Sequence, residues 1–434
     1  MATVLAHDIV RSLSLRRDPA ALQAMRPARS REWRRTMTWL DHSGLALYFL
    51  QRLESDGARS LPLDVLRQLR QRKKNNEQRV ARLKEISESI NRGFEQNGVR
   101  FATLKGFSLT PEYCADPNTR AQSDLDYLIA RDSIAAAQNV LSERGYLLKR
   151  QESEELSFWI PAPEPTDAAQ QYSPNGPWMV ELHLSTWDQS LFRIPLKIPE
   201  PSFTELRTHH WNGLEFPCLP KRLVFAGQIL HAFKHVLAGW IRLSWLFEIA
   251  CFLRDQSDDS LFWQEFDRMV TAEPLLAELV AIITCLAVDL FDSPVPESVQ
   301  KYITDLRPTV KVWLQAYAHD WLFETFPRYE IRFFSRSKLS MFLKELYCAP
   351  QVDHGPEDFR ALFPLHRLKR LVQRRNTHTT AMRSIIYKTR WLALHSIYHA
   401  GATLRYMWEL PRWRHRVQLV RARGAVSNRS NSSW

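Results

Sequence analysis

Ser123-Asp124-Leu125-Asp126-Tyr127-Leu128-Ile129 reads as a partly buried β-strand, with Leu104-Lys105-Gly106 a short way upstream. Side chains alternate along a strand, so Asp124 and Asp126 share one face. The apolar run of Leu125, Leu128 and Ile129 places that strand in a core. Two adjacent carboxylates in a partly buried site repel each other strongly. A divalent cation is the usual compensation. Chemistry in this chain is therefore expected at these two residues.

Outward from that strand, residues 99–104 form a short β-type run, and Lys105-Gly106 is the turn after it. A short helix is expected over 107–113, a loop at Asp116-Pro117-Asn118, and an amphipathic helix over 133–143 ending at Gly145. Residues 146–150 and 156–160 are strand candidates, and 161–177 reads as an exposed loop. The clearest further strand is 178–185, where Glu181 and His183 point one way and Val180, Leu182 and Leu184 the other. Upstream, residues 1–60 read as helical. Pro62 opens a long helix to about Gln96, with Leu66, Leu69, Val80, Leu83, Ile86, Ile90 and Phe94 at largely three- and four-residue steps. Asn97-Gly98 is its expected cap. On this long helix Asn76 and Arg79 could face the cleft, and a solvated face is the expected reading. A strong helix runs over 222–254, and more helices follow to about Leu346. The predicted class is α+β, a small mixed-sheet core between N-terminal and C-terminal helical regions. The expected divisions are 1–96, 97–215, 216–362 and 363–434.

With 434 residues, 45% hydrophobic and 24% charged, the chain has the composition of a soluble globular protein. Met1 to Arg17 lacks an uninterrupted apolar run, so no secretory leader is expected. Two segments, 236–253 and 274–291, approach membrane-span length but carry charges (Arg242 and Glu248; Glu278 and Asp289). They read as buried helices, with no transmembrane segment expected. The five cysteines are scattered and form no CxxC pair, which fits a reducing cytosol, and a cytoplasmic location is expected.

The net charge of +12 sits in one place. From Phe363 onward there are fifteen Lys/Arg and one acid, Glu409, so the rest of the chain is close to neutral. Trp391, Tyr398, Tyr406, Trp408 and Trp413 are interleaved with these charges. Such a segment fits RNA phosphates with base stacking, or an anionic membrane surface with the protein peripheral to it. It equally fits a helix whose aromatics pack on the body while its arginines are solvated. Residues 427–434, rich in Ser and Asn, are expected to be a disordered tip.

Phosphoryl-type transfer assisted by two metal ions needs carboxylates that hold cations close together. Asp124 and Asp126 supply two, and Glu181 is the best candidate for a third. At this point the sequence resembles the uncharacterised nucleotidyltransferase family within the DNA polymerase β-like superfamily. The resemblance rests on Lys105-Gly106, Arg120, Ser123 to Ile129, Arg144-Gly145-Tyr146 and Val180-Glu181-Leu182-His183, and continues through His231-Ala232-Phe233-Lys234-His235 and Arg242 to Leu246. It implies a minimal nucleotidyltransferase sheet in which Asp124, Asp126 and Glu181 bind Mg²⁺ or Mn²⁺ with a nucleoside triphosphate. Lys105, Gly106, Ser108 and Ser123 would lie along the phosphates, and Glu181 could help deprotonate an acceptor hydroxyl. The chain departs from the superfamily pattern in having Lys-Gly where Gly-Ser is usual, a longer spacing from Gly106 to Asp124, and Glu in place of the third Asp.

Other candidates have two readings each. His231, His235, Ala238 and Arg242 follow steps of four, three and four on the expected helix, with Lys234 beside them. They could offer positive charge and donors to a triphosphate, hold a zinc ion, or simply be core histidines and a surface lysine. Arg120 could reach a phosphate or pair with Asp124. His183 is a supporting partner of Glu181 or a plain strand residue. The implied reaction moves an NMP group from a nucleoside triphosphate, ATP included, to an unknown acceptor with release of pyrophosphate. The alternatives are a catalytically degenerate nucleotide-binding or partner-docking module, or a phosphotransferase using the same site.

Overall fold

The computed structural model describes residues 4–16, 30–55, 61–161, 171–187, 194, 196, 202–324, 338–348 and 381–431. Two compact units are distinguished. The larger comprises residues 3–233 and 242–305, and the smaller comprises 1–2, 234–241 and 306–434.

The larger unit is built on a seven-stranded mixed sheet. Its strands are β1 (Phe101–Leu104), β2 (Asp124–Ile129), β3 (Leu147–Gln151), β4 (Glu155–Ile160), β5 (Trp178–His183), β6 (Arg207–Trp211) and β7 (Leu214–Cys218). Their order across the sheet is β3-β4-β5-β2-β1-β7-β6. β2 runs antiparallel to β1 and parallel to β5. The carboxylate strand is thus central, and its period-two pattern is fully used. Leu125, Tyr127 and Ile129 enter the core with Val180 and Leu182 of β5 and Leu156 and Phe158 of β4. Helix Leu63–Gln96 closes that side with Val80, Leu83, Ile90 and Phe94, and helix Ile134–Glu143 adds Ala137, Val140 and Leu141. Phe94 meets Phe101 and Tyr127 edge-on at 5.1 and 5.3 Å, the favourable aromatic arrangement. The long helix ends at Asn97-Gly98, where the Val99 and Gly98 amides donate to the carbonyls of Phe94 and Glu95.

Several sequence expectations are corrected. Asn76 and Arg79 are buried, not on a solvated face. Asn76 Nδ2 donates to the Asn118 and Arg120 carbonyls at 2.8 and 3.1 Å. The Arg79 guanidinium donates to the carbonyls of Gln122, Ser173, Ser123 and Pro177 and stacks on Trp178, 4.8 Å from its centroid. Burial lowers its pKa to about 10, against the pull of Asp124. These two residues hold the segments that lead into β2 and β5. Replacing Arg79 with Met is expected to cost roughly 3–5 kcal/mol, because four buried carbonyls lose their donor at once. A urea unfolding midpoint within error of wild type would contradict that role.

The expected single helix over 222–254 is two helices, Lys221–Leu237 and Leu243–Asp255. Gly239 adopts a left-handed φ of 83° and Arg242 is extended, so the helical ladder stops between them. The short helix expected over 107–113 is a 3-10 turn, Gly106–Leu109. The β6–β7 hairpin was not among the expected strands. Its turn, Asn212-Gly213, has positive φ at both residues, as a two-residue hairpin turn requires. Helix Pro274–Phe291 is long and apolar enough to cross a membrane, and 61% of it is buried inside the fold. The five cysteines are free thiols.

In the smaller unit, helix Ala381–Asn431 runs through residues 427–431, where a disordered tip was expected. Residues 363–380 of the basic segment, 432–434 of that tip and 162–170 of the expected loop lie outside the described residues.

Candidate active site

Parallel pairing of β2 and β5 sets Asp126 opposite Glu181 and Leu128 opposite His183. Antiparallel pairing of β4 and β5 sets Ser157 opposite Glu181 and Glu155 opposite His183. Side-chain alternation therefore gathers Asp124, Asp126, Glu181, His183, Ser157 and Glu155 on the face opposite the aromatic core. One ligand atom from each of Asp126, Glu181 and His183 lies within 4.8 Å of the others. His183 Nε2 is 2.9 Å from Asp126 Oδ1 and 3.8 Å from a Glu181 oxygen. Its Nδ1 is 3.9 Å from Glu155 Oε2. His183 thus lies beside Glu181 and among the carboxylates.

Lys105 brings the positive charge. It leaves β1 at the position paired next to Asp126, and its Nζ donates to Asp126 Oδ1 at 2.9 Å. Its backbone is in the left-handed region (φ 52°), unusual for a residue with a Cβ, and Gly106 follows with the same φ. A Cβ on Gly106 would lie 2.4 Å from Gln122 Nε2, which itself donates to the Asp124 carbonyl at 2.9 Å. The turn is thus pressed against the start of β2, and only glycine fits there. Ser108, buried, donates its hydroxyl to the Lys105 carbonyl at 2.8 Å and so braces the turn. The Ser123 carbonyl accepts from Arg79 at 3.3 Å.

The charges are unevenly compensated. Burial pushes the Asp126 carboxyl up, but Lys105 and the His183 bond outweigh it and hold it well below the usual range. Asp124 is pushed up, first by burial and then by repulsion from Asp126, with Lys105, Arg120 and Arg242 opposing. Burial, Asp126 and Asp124 raise Glu181 to about 8. The ammonium of Lys105 is raised because the three carboxylates outweigh its burial. The nearby cations, Lys105 foremost, leave Asp124 and Glu181 only partly compensated. Their oxygens are donors that suit a hard divalent ion, and the imidazole of His183 beside them is a borderline donor.

Arg120 pairs with Glu248 rather than with Asp124. Its Nε donates to Glu248 Oε1 at 3.1 Å, and Tyr48 donates to the same oxygen at 3.0 Å. It still lowers the Asp124 carboxyl at longer range. Arg242 donates to Gln171 Oε1, and Gln171 in turn donates to the Asp41 carbonyl at 2.6 Å. Burial lowers the Arg242 pKa, with Asp124 among the groups that oppose this. The expected common face of His231, His235 and Arg242 does not exist, since Arg242 lies beyond the helix break. His231 packs edge-on against Trp245 at 4.5 Å, and His235 similarly against Trp240 at 4.2 Å. Lys234 and His235 belong to the smaller unit.

Glu155 and Ser157 were not foreseen at the site. The Ser157 hydroxyl is 3.4 Å from Glu155 Oε1 and 3.5 Å from Glu181 Oε1, and Arg150 pairs with Glu155. Their signal was the expected strand over 156–160, whose partner the sequence did not reveal.

The profile of a family described as an uncharacterised nucleotidyltransferase matches residues 29–292, more than half of the chain. Among solved structures, the chain resembles an antigenic nucleotidyltransferase-like protein from Paracoccidioides brasiliensis. That match has 14% identity and a TM-score of 0.28, and covers 46% of this chain and 92% of the other. No curated protein matches the chain.

Proposed function

The chain belongs to the uncharacterised nucleotidyltransferase family, and on that premise we propose that it transfers an NMP group from a nucleoside triphosphate to an acceptor hydroxyl, with a divalent cation held by Asp124, Asp126 and Glu181. The observation that carries this reading is the charge imbalance on the β2–β5 face. Asp124 is raised and Glu181 is raised to about 8, so the nearby cations compensate both carboxylates only in part. A cation there would relieve the repulsion and lower both groups. Mg²⁺ or Mn²⁺ when bound would neutralise phosphate charge and polarise the phosphorus–oxygen bonds.

The chain's own residues have separate tasks. Lys105, 2.9 Å from Asp126, is placed to exchange that partner for a phosphate oxygen. Arg242, half-buried and donating to the Gln171 side-chain amide, offers a guanidinium on the Asp124 side. Glu181 accepts the proton of the acceptor hydroxyl as its oxygen attacks the α-phosphorus. The bond from that phosphorus to the β-bridging oxygen breaks, and pyrophosphate leaves with the electron pair. Glu181 can serve as a base only in its ionised form, so rising pH through its titration favours transfer.

The direct Lys105–Asp126 pair favours a second reading, a degenerate module that binds nucleotide without transfer. Pyrophosphate release, measured with each of the four nucleotides, Mn²⁺ and fractionated acceptor pools, separates the two. An acceptor that gains the mass of a nucleoside monophosphate supports transfer. An acceptor that gains a phosphate mass points to phosphotransfer at the same site. No pyrophosphate with any nucleotide contradicts transfer.

A further inference from the structure

The basic helix Ala381–Asn431 presents two different faces. At about 100° per residue, positions 399, 403, 406, 413 and 417 share one side. His399, Thr403, Trp413 and Val417 are buried there. Trp413 stacks on Phe342 at 5.2 Å and donates its indole N–H to Glu345 at 3.0 Å. Tyr406 also stacks on Phe342, at 4.9 Å. The helix is thereby fixed in rotation on the smaller unit.

The opposite side carries Ile397, Leu404, Trp408 and Leu419, which fall within about 60° of one another. Ile397 and Trp408 are 69% exposed and Leu404 is 67% exposed. Met407, also exposed, widens the stripe. From Ile397 to Leu419 the span is about 33 Å, with exposed Pro411 and His415 on the same side between Trp408 and Leu419. Exposed Arg412, Arg414, Arg416, Arg421 and Arg423 border it, and Glu409 is the only acid in the helix sequence. The Arg412 guanidinium lies 5.0 Å from the Trp408 ring centroid. Arginine over an outward tryptophan beside aliphatic side chains matches the interfacial zone of a bilayer, where rings sit at headgroup depth and cationic heads meet lipid phosphates.

We propose that this outward face seats on an anionic lipid bilayer. RNA fits the face less well. Base stacking needs free aromatic platforms, and Tyr406 and Trp413 are already stacked on Phe342. The outward side chains are mostly aliphatic. The charge selects an anionic surface, and the apolar stripe selects one with a hydrocarbon interior.

Sedimentation of the full chain with vesicles tests this. Binding is expected to vesicles with about 30 mol% phosphatidylserine and not to pure phosphatidylcholine, and to weaken in high salt. The Leu404→Glu/Trp408→Glu variant should lose at least about tenfold in partitioning. Both positions are exposed, and an unchanged circular dichroism spectrum shows that the fold survives. Arg412→Gln/Arg416→Gln, which keeps the stripe, should lose the preference for anionic vesicles. No binding to anionic vesicles overturns the proposal, as does binding that the Glu variant leaves intact. A stripe that instead holds single-stranded RNA, or a second copy of the chain, without vesicle binding also overturns it.

Discussion

Asp126→Asn is expected to abolish nucleotidyl transfer, by at least about 10³-fold, and to destabilise the fold by roughly 3 kcal/mol. Both effects follow from one oxygen. Asp126 Oδ1 receives Lys105 Nζ and faces His183 Nε2, each at 2.9 Å, in a residue that is 3% exposed. The variant leaves the Lys105 ammonium largely buried without an anion, the costly way to break a buried pair. Lys105→Met in the same background removes the orphaned charge and should restore much of the stability but none of the activity. Urea unfolding of the four proteins of this cycle measures the coupling. An Asp126→Asn protein as stable as wild type would show that the ion pair does not operate in solution.

Asp124→Asn and Glu181→Gln should act on stability with the opposite sign. Both carboxylates are raised by burial and by their neighbours, so the charged forms strain the folded state. For Glu181 the sign is explicit. Its pKa rises from 4.5 to about 8 on folding, so over that interval the folded chain retains a proton that the unfolded chain releases. Stability conferred by that proton is full below the lower value and is lost as pH rises through the upper one. Glu181→Gln has no such loss. It should match wild type in acid and exceed it by roughly 1–3 kcal/mol above about pH 8, without added cation. Adding Mn²⁺ should stabilise wild type and leave both variants nearly unmoved. Thermal unfolding across pH, with and without Mn²⁺, tests all three statements. A Glu181→Gln protein that is less stable than wild type at high pH would contradict the uncompensated charge.

Much of the sheet was legible because strand alternation is a local property. Leu125, Tyr127 and Ile129 on one side and Asp124 and Asp126 on the other require only a period of two. The same rule put Glu181 and His183 on one face of β5. Register was not legible locally. Only the paired strands show that Glu181 is opposite Asp126 and that Glu155 and Ser157 lie across from His183 and Glu181. Arg79 was misjudged for a related reason. A charged residue on a polar helix face reads as solvated, and only the folded chain reveals four backbone carbonyls waiting for it. The break at Gly239 was hidden by apolar periodicity that resumes in phase beyond it. The Asn212-Gly213 hairpin, by contrast, carried a standard turn signature and was there to be read.

Calorimetric titration of ATP, CTP, GTP and UTP with Mn²⁺ into wild type and into Asp124→Ala/Asp126→Ala tests the carboxylate site most directly. Saturable binding of at least one nucleotide by wild type, dependent on Mn²⁺ and lost in the double variant, is the expected result. Equally tight binding by both proteins would place the nucleotide and its cation elsewhere and contradict the site on the β2–β5 face.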